Sequence, residues 1–224
     1  MIAHLVVRAR RIRGLHLAVV LLRFLIGFAF VPSALKKLLD QPFTDPDKHG
    51  RFHDFLHAFH ATGWFYQLVG ALQLTAAVLL FTQRFATLGA LIAVPILTAI
   101  TALCWSTGVV PTATVATLMW LGTLALALWD VAKWQGIFAP DASGAPDGRA
   151  PQTLSAEPSP IDLRLWSWCG AAMLAVYATG ALLHGGVYRP RGVELDQPGF
   201  YVMPLMLLLP LATYVVERRR RRTG

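Results

Sequence analysis

Acidic residues are scarce in this chain: 12 aspartates and glutamates stand against 20 lysines and arginines, and charged residues make up only 14% of it. So little charge cannot cover the surface of an ordinary soluble domain, and 55% of the residues are hydrophobic. Cysteine is nearly missing too. Cys104 and Cys169 form no CxxC pair, which excludes a thioredoxin-like dithiol. No phosphate-binding loop, haem motif or nucleophile–base pair is visible, so catalysis by this chain alone is not expected.

What the chain has instead is apolar runs long enough to cross a bilayer, where about 20 residues make one helical span. Six spans can be read: 15–39, 64–82, 85–105, 111–131, 165–184 and a short one at 200–216. The fold class is therefore all-α, a polytopic transmembrane bundle in a lipid bilayer. The net charge of +8 does not point to nucleic acid, because the basic residues gather at the termini. Arg8, Arg10, Arg11 and Arg13 lie at one end and Arg218 to Arg222 at the other. In a membrane protein that pattern is a topology signal. The N-terminus imitates a signal peptide, but Arg23 interrupts its apolar core and the run continues to Leu39, as in an uncleaved signal anchor.

With six spans both termini share one side. Thirteen basic residues, Arg84, Lys133, Arg149 and Arg164 among them, then fall inside and six outside, which places both termini in the cytoplasm of an inner-membrane protein. Trp64, Tyr66, Trp105 and Tyr201 are expected at the outer interface, and Trp129, Trp134, Trp166 and Tyr214 at the inner one. The tight turn Thr82-Gln83-Arg84 makes spans two and three antiparallel neighbours. Residues 139–160, rich in proline, alanine, serine and glycine, read as a flexible cytoplasmic linker. It divides a four-helix unit (1–138) from a two-span appendix (161–224). Pro111 suits a first helical turn, whereas Pro32, Pro95, Pro204 and Pro210 would bend their helices. Gly89 with Ala93, and Ala171 with Ala175 and Ala178, are candidate packing seams.

The first span carries one charge within its apolar run, Arg23. A guanidinium there costs a few kcal/mol or more unless protein or water meets it, and such residues mark sites by default. Counted from their span ends, Arg23 and Gln73 lie at similar depth, so a hydrogen bond between them is allowed; the alternative is that Arg23 snorkels to the interface.

The pattern Arg23-Phe24-Leu25-Ile26-Gly27, then Leu35-Lys36-Lys37-Leu38-Leu39-Asp40, then Gly70-Ala71-Leu72-Gln73 and Leu79-Leu80-Phe81-Thr82-Gln83-Arg84 resembles the DoxX family of small four-helix membrane proteins. The resemblance spans roughly residues 19–131, in spaced single residues. Arg23 matches the family's helix-one arginine, Lys37 its lysine, Gly70 its glycine and Arg84 the arginine of its basic turn. Gln73 stands where a glutamate is usual, which removes an anionic partner for Arg23, and Ser33 and Ala34 replace a glycine ahead of the lysine. The resemblance implies an accessory subunit of a redox, quinone- or thiol-linked membrane system, with other redox subunits as partners. Arg23, Lys37 and Gln73 are then the candidate ligand contacts and quinone a candidate cofactor.

A second constellation is His49, His53, His57 and His60. On a helix these share an arc of about 80° beside Phe52, Phe55, Leu56 and Phe59. Such a helix could lie in the interface, and its histidines could hold a transition metal, with Asp54 or His184 as a further ligand. Tolerated headgroup-level histidines are the plain alternative. Cys104 and Cys169 fall at opposite ends of their spans, too far apart for a disulfide. Arg189, Arg191, Glu194 and Asp196 read as a solvated outer turn, and Asp130 as an interfacial partner for a tryptophan N–H or for Lys133. The alternatives to the redox reading are a non-catalytic carrier or scaffold for a lipid or small solute, and a periplasm-facing metal-binding protein. The topology predicts that a reporter fused after Gly224 is active only in the cytoplasm; activity on the far side of the membrane would reverse it.

Overall fold

Lipid offers no hydrogen-bond partners to the backbone, so apolar runs of this length must satisfy their amides internally, as helices. A computed structural model describes residues 12–131, 160–184, 186–187 and 198–223, and contains no strand among them. Its helices are α1 (Arg13–Leu38), α2 (Arg51–Ala61), α3 (Trp64–Phe81), α4 (Ala86–Ser106), α5 (Val110–Trp129), α6 (Leu163–His184) and α7 (Val202–Thr223), with a short 3-10 turn at Pro198–Tyr201 before α7. α1, α3, α4, α5 and α6 are each long and apolar enough to cross a membrane. The chain is a multi-pass membrane protein. Of the linker 139–160 only Pro160 is described; Arg8, Arg10, Arg11, Lys133, Trp134, Arg149, Arg189, Arg191, Glu194 and Asp196 also lie outside the described residues.

The expected sixth span is α7, which is 22 residues long but not among these five, because its apolar stretch ends at Val216 and Glu217 and five arginines complete the helix. It runs antiparallel beside α6. Gly180 meets Val202 near one end of the pair, and Trp166 meets Glu217 near the other.

Helix ends follow from local chemistry. α1 closes with Asp40 in a left-handed conformation (φ 52°), its N–H on the Lys37 carbonyl and that of Gln41 on Lys36. This is a Schellman end, which satisfies carbonyls that would otherwise be orphaned. Gly108 (φ 75°) ends α4 in the same way, through Trp105 and Cys104. Pro111 falls in the first turn of α5 as expected, and the helices continue through Pro32, Pro95 and Pro210.

α1 and α3 pack antiparallel at close range. A Cβ on Gly70 would lie 2.7 Å from Cβ of Lys37 and 3.0 Å from the Ala34 carbonyl oxygen, while Gly27 faces Phe81 and the Ala77 carbonyl. Residue 70 is therefore level with about 34–38, and residues 77–81 with 27. On α4, Gly89 approaches the Ala76 carbonyl of α3 and Ala93 is fully buried, so that seam is used. The proposed alanine seam on α6 is not: Ala171, Ala175 and Ala178 are exposed, and the buried face carries Trp166, Cys169, Gly170, Met173, Tyr177 and Gly180. Large residues filling the junction with α1 and α3 bury more apolar area than alanines would.

That junction makes one core of the two halves. Phe24 stacks on Phe81 at 5.5 Å and tilts against Trp166 at 6.1 Å, and Phe28 meets Tyr177 edge-on. Trp129 and Trp166, expected in an interfacial belt, are instead buried. Trp129 contacts His16 and Trp166 donates to Glu217, so each ring has specific partners within the protein. Trp64, Trp105 and Tyr201 are exposed, as a belt requires.

Gly170 is the tightest point of the junction, since an added Cβ would stand 2.6 Å from the Phe81 carbonyl oxygen. Gly170→Val should therefore force α6 away and destabilise the protein by about 1–3 kcal/mol. Thermal unfolding in detergent, followed by tryptophan fluorescence, measures this; an unchanged midpoint would mean that α6 does not pack here.

Candidate functional site

Two polar clusters lie at opposite ends of the α1–α3 pair, each organised by one cation of α1. Arg23 is 5% exposed. Its Nη1 donates to Oε1 of Gln83 at 3.0 Å and its Nη2 to Oδ2 of Asp130 at 3.0 Å, in an ion pair whose side chains are 7% and 4% exposed. The Thr87 hydroxyl donates to the same carboxylate oxygen at 2.9 Å. Asp130 is the C-cap of α5, where the helix dipole disfavours an anion, so the guanidinium offsets both that and desolvation.

Gln83 has φ 58°, in the left-handed region where glycine is the usual residue. Its side chain explains the exception. Oε1 accepts from Arg23, Nε2 donates to the Leu80 carbonyl, and the residue is 3% exposed. A glycine would relax the backbone and lose both bonds.

The expected bond from Arg23 to Gln73 is not made. In the α1–α3 register Arg23 comes level with the turn after Phe81, whereas Gln73 comes level with Ser33, whose hydroxyl donates to Gln73 Oε1 at 3.3 Å. Counting from span ends misleads here because α1 has 26 residues and α3 only 18. Arg23 neither snorkels nor reaches Gln73.

The second cluster surrounds Lys37, which is 6% exposed. Its Nζ donates to the Ser33 hydroxyl at 2.8 Å and the Ser33 carbonyl at 3.2 Å. It also lies 4.6 Å from the Phe43 ring centre and 5.7 Å from that of Tyr66, within cation–π range. Tyr66 is fully buried, and its hydroxyl donates to the Gln41 carbonyl at 2.8 Å, which draws the segment after α1 over the lysine. Gln73, 1% exposed, forms the floor, so Ser33, Lys37 and Gln73 are brought together and Arg23 is not among them.

α2 forms as the histidine spacing suggested, but it begins at Arg51 and leaves His49 outside it, and each of the four side chains meets its own partner. His49 faces Asp54 at 3.8 Å, His53 Nδ1 pairs with the Thr44 hydroxyl, His57 Nε2 with the Lys48 carbonyl, and His60 Nε2 with the Asp40 carbonyl and carboxylate. Among the described residues no group of three or more His, Cys, Asp or Glu is placed to hold a metal. Phe59, rather than entering lipid alone, packs between Phe55, Phe65 and Tyr66. Cys104 and Cys169 are free and buried.

A third buried charge, Glu217 at 2% exposed, had no counterpart among the expected site residues. Trp166 Nε1 donates to its Oε2 at 3.0 Å, while the Asp162 amide and Arg221 donate to Oε1; Arg13 stands 3.8 Å away. The available signal was a single acid directly before five arginines. For Gln83 there was none beyond its place in a tight turn.

Together these features define a multi-pass helical membrane protein with buried polar clusters at both ends of its central helix pair. No family model, curated protein or solved structure matches the chain.

Removing one member of the Arg23–Asp130 pair should cost about 3–5 kcal/mol, because it strands the other charge. Arg23→Met and Asp130→Leu should each lower stability by that order, and the double variant should recover at least about 1 kcal/mol of the summed loss. Denaturant unfolding in micelles reads the cycle; strictly additive losses would show the two side chains to be uncoupled.

Proposed function

We propose that this chain is a DoxX-like inner-membrane protein with both termini in the cytoplasm, and that it serves as an accessory subunit of a redox system linked to quinone or thiol. The ligand contact in this reading is the Lys37 cluster. Arg23 acts instead as a structural ion-pair partner, since its guanidinium already spans Gln83 and Asp130. The observation that carries the reading is the donor set at Lys37: a buried ammonium on a serine hydroxyl, a buried carboxamide beneath, and the rings of Phe43 and Tyr66 alongside.

This set fits an acceptor head group delivered from the bilayer. A quinone carbonyl can accept from Lys37 Nζ in exchange for the Ser33 hydroxyl, and its ring can lie against the two aromatics. Ser33 and Gln73 hold the ammonium in position. Bound quinone would supply the redox chemistry; these residues bind and orient it. The carrier alternative has its own support in an open apolar groove of about 370 Å³ along α1 and α3, lined by Leu38, Ala71, Leu74, Thr75, Val78 and Leu79, which suits an acyl chain.

The test is binding of decyl-ubiquinone or menadione to the purified full chain. Lys37→Met should weaken it about tenfold or more, the order expected for loss of a charge-assisted hydrogen bond, whereas Ser33→Ala, which removes the acceptor that the quinone displaces, should not weaken it. Both variants should remain folded by circular dichroism. Wild-type affinity in Lys37→Met would end the quinone reading, and absence of quinone binding by the native chain together with retained phospholipid would favour the carrier.

A further inference from the structure

The five consecutive arginines of the C-terminal tail are not equivalent once they are wound on a helix. α7 continues unbroken from its apolar part through Arg222, so each guanidinium has a fixed bearing. Arg221 turns toward the bundle, where it donates to Glu217 at 2.9 Å and to the Pro160 carbonyl. Arg218, Arg219 and Arg222 line an open groove of about 210 Å³ with Val215 and with Tyr214, which packs against the core under the Arg13 guanidinium. Residues 214, 218 and 222 form one stripe at four-residue spacing, and 215 and 219 the stripe beside it.

Like charges four apart on a helix repel, so this face gains when an anion enters between them. Position says which anion. Val216 is the last apolar residue of the helix, so the arginines begin within one turn of the hydrocarbon boundary, at the level of lipid headgroups. Tyr214 presents an amphipathic ring at the same level, the usual place for one. Guanidinium forks match phosphate oxygens in pairs, which an ammonium cannot do.

We propose that the Tyr214–Arg218–Arg219–Arg222 face of α7 is a binding site for the phosphodiester headgroup of an anionic phospholipid. Arg218 and Arg222 clamp the phosphate, while Tyr214 and Val215 meet the start of the acyl chains. The site is separate from the Lys37 cluster, and it stands whether or not quinone binds there.

The experiment is native mass spectrometry of the full chain in detergent, titrated with phosphatidylglycerol or phosphatidylcholine. Retention of phosphatidylglycerol should exceed that of phosphatidylcholine. Arg218→Gln with Arg222→Gln should weaken it about tenfold, from the loss of two charge-assisted contacts. Lysine at both positions, which keeps the charge but not the fork, should restore it only in part. Arg84→Gln with Arg164→Gln removes the same charge from the α3–α4 turn and from α6 and should leave retention within about twofold, as expected for groups outside the contact. Equal losses in the two double glutamine variants would reduce the effect to net charge and overturn the site. Displacement of the lipid by millimolar inorganic phosphate would overturn it as a lipid site, leaving one for free phosphate. Helix content by circular dichroism, unchanged in each variant, separates these outcomes from misfolding.

Discussion

The ion pair between Arg23 and Asp130 is the constraint around which the bundle is arranged. Two opposite charges out of water attract strongly, yet each loses its hydration, so the pair adds little net stability while making any arrangement that separates it expensive. That asymmetry specifies structure. Arg23 belongs to the first helix and Asp130 to the end of the fourth long one, 107 residues later. Their contact fixes the depth of α1 against α5. Through Thr87 it also fixes the first turn of α4, and through Gln83 the turn between α3 and α4. Four elements thus share one electrostatic reference point.

At the other end of the same helix the logic is different. Lys37 is held by a hydroxyl, a carbonyl and two aromatic faces, softer partners than a carboxylate at hydrogen-bond distance. Between the two clusters α1 and α3 are joined by apolar packing, with Ile26, Phe30, Ala34, Ala76, Ala77 and Leu80 buried. A pre-satisfied ion pair resists a ligand, because displacing either partner strands the other. A lysine resting on a serine can exchange that serine for another acceptor at small cost. This difference in exchangeability, rather than depth in the membrane, is why the two cations of α1 are assigned different roles.

Hydropathy made five of the six expected spans legible to within a residue or two, since lipid enforces helices wherever apolar runs reach that length, while the sixth, read to residue 216, continues as helix to Thr223. The buried arginine was legible as well, because charge stands out against such a background. Its partner was not. Depth counted from span ends assumes helices of equal length, and the eight-residue difference between α1 and α3 moved Arg23 from Gln73 to Gln83. The alanine seam failed for a related reason: spacing shows which residues share a face of α6, not which face turns inward, and the aromatic face won. Histidine periodicity correctly gave a helix. It could not show that residues 40–48 offer partners to three of the rings, the Thr44 hydroxyl to His53 and the Lys48 and Asp40 carbonyls to His57 and His60, because backbone carbonyls carry no sequence signature.

Glu217 extends the principle seen at Asp130 and explains how two extra helices stay attached to a four-helix unit. Apolar contact among Phe24, Phe81 and Trp166 is non-directional, and beyond the close approach at Gly170 and the bond from the Ser167 hydroxyl to the Thr82 carbonyl it would let the far end of α7 shift along the bundle. A buried carboxylate prevents this by demanding several donors at once: the indole and an amide at the start of α6, an arginine one turn on in α7, and Arg13 nearby on α1. α1 therefore places a cation near both carboxylates, Arg23 hydrogen-bonded to Asp130 and Arg13 3.8 Å from Glu217, at positions ten residues and about 15 Å apart along its axis. In a chain with few acids, two of them are placed where a helix distant in sequence has to be matched to the first. The same pairing ties Arg221 to the carboxylate while Arg218, Arg219 and Arg222 line a groove, so one glutamate both locks the C-terminal helix in register and sets one arginine of a uniform run apart from the groove-lining three.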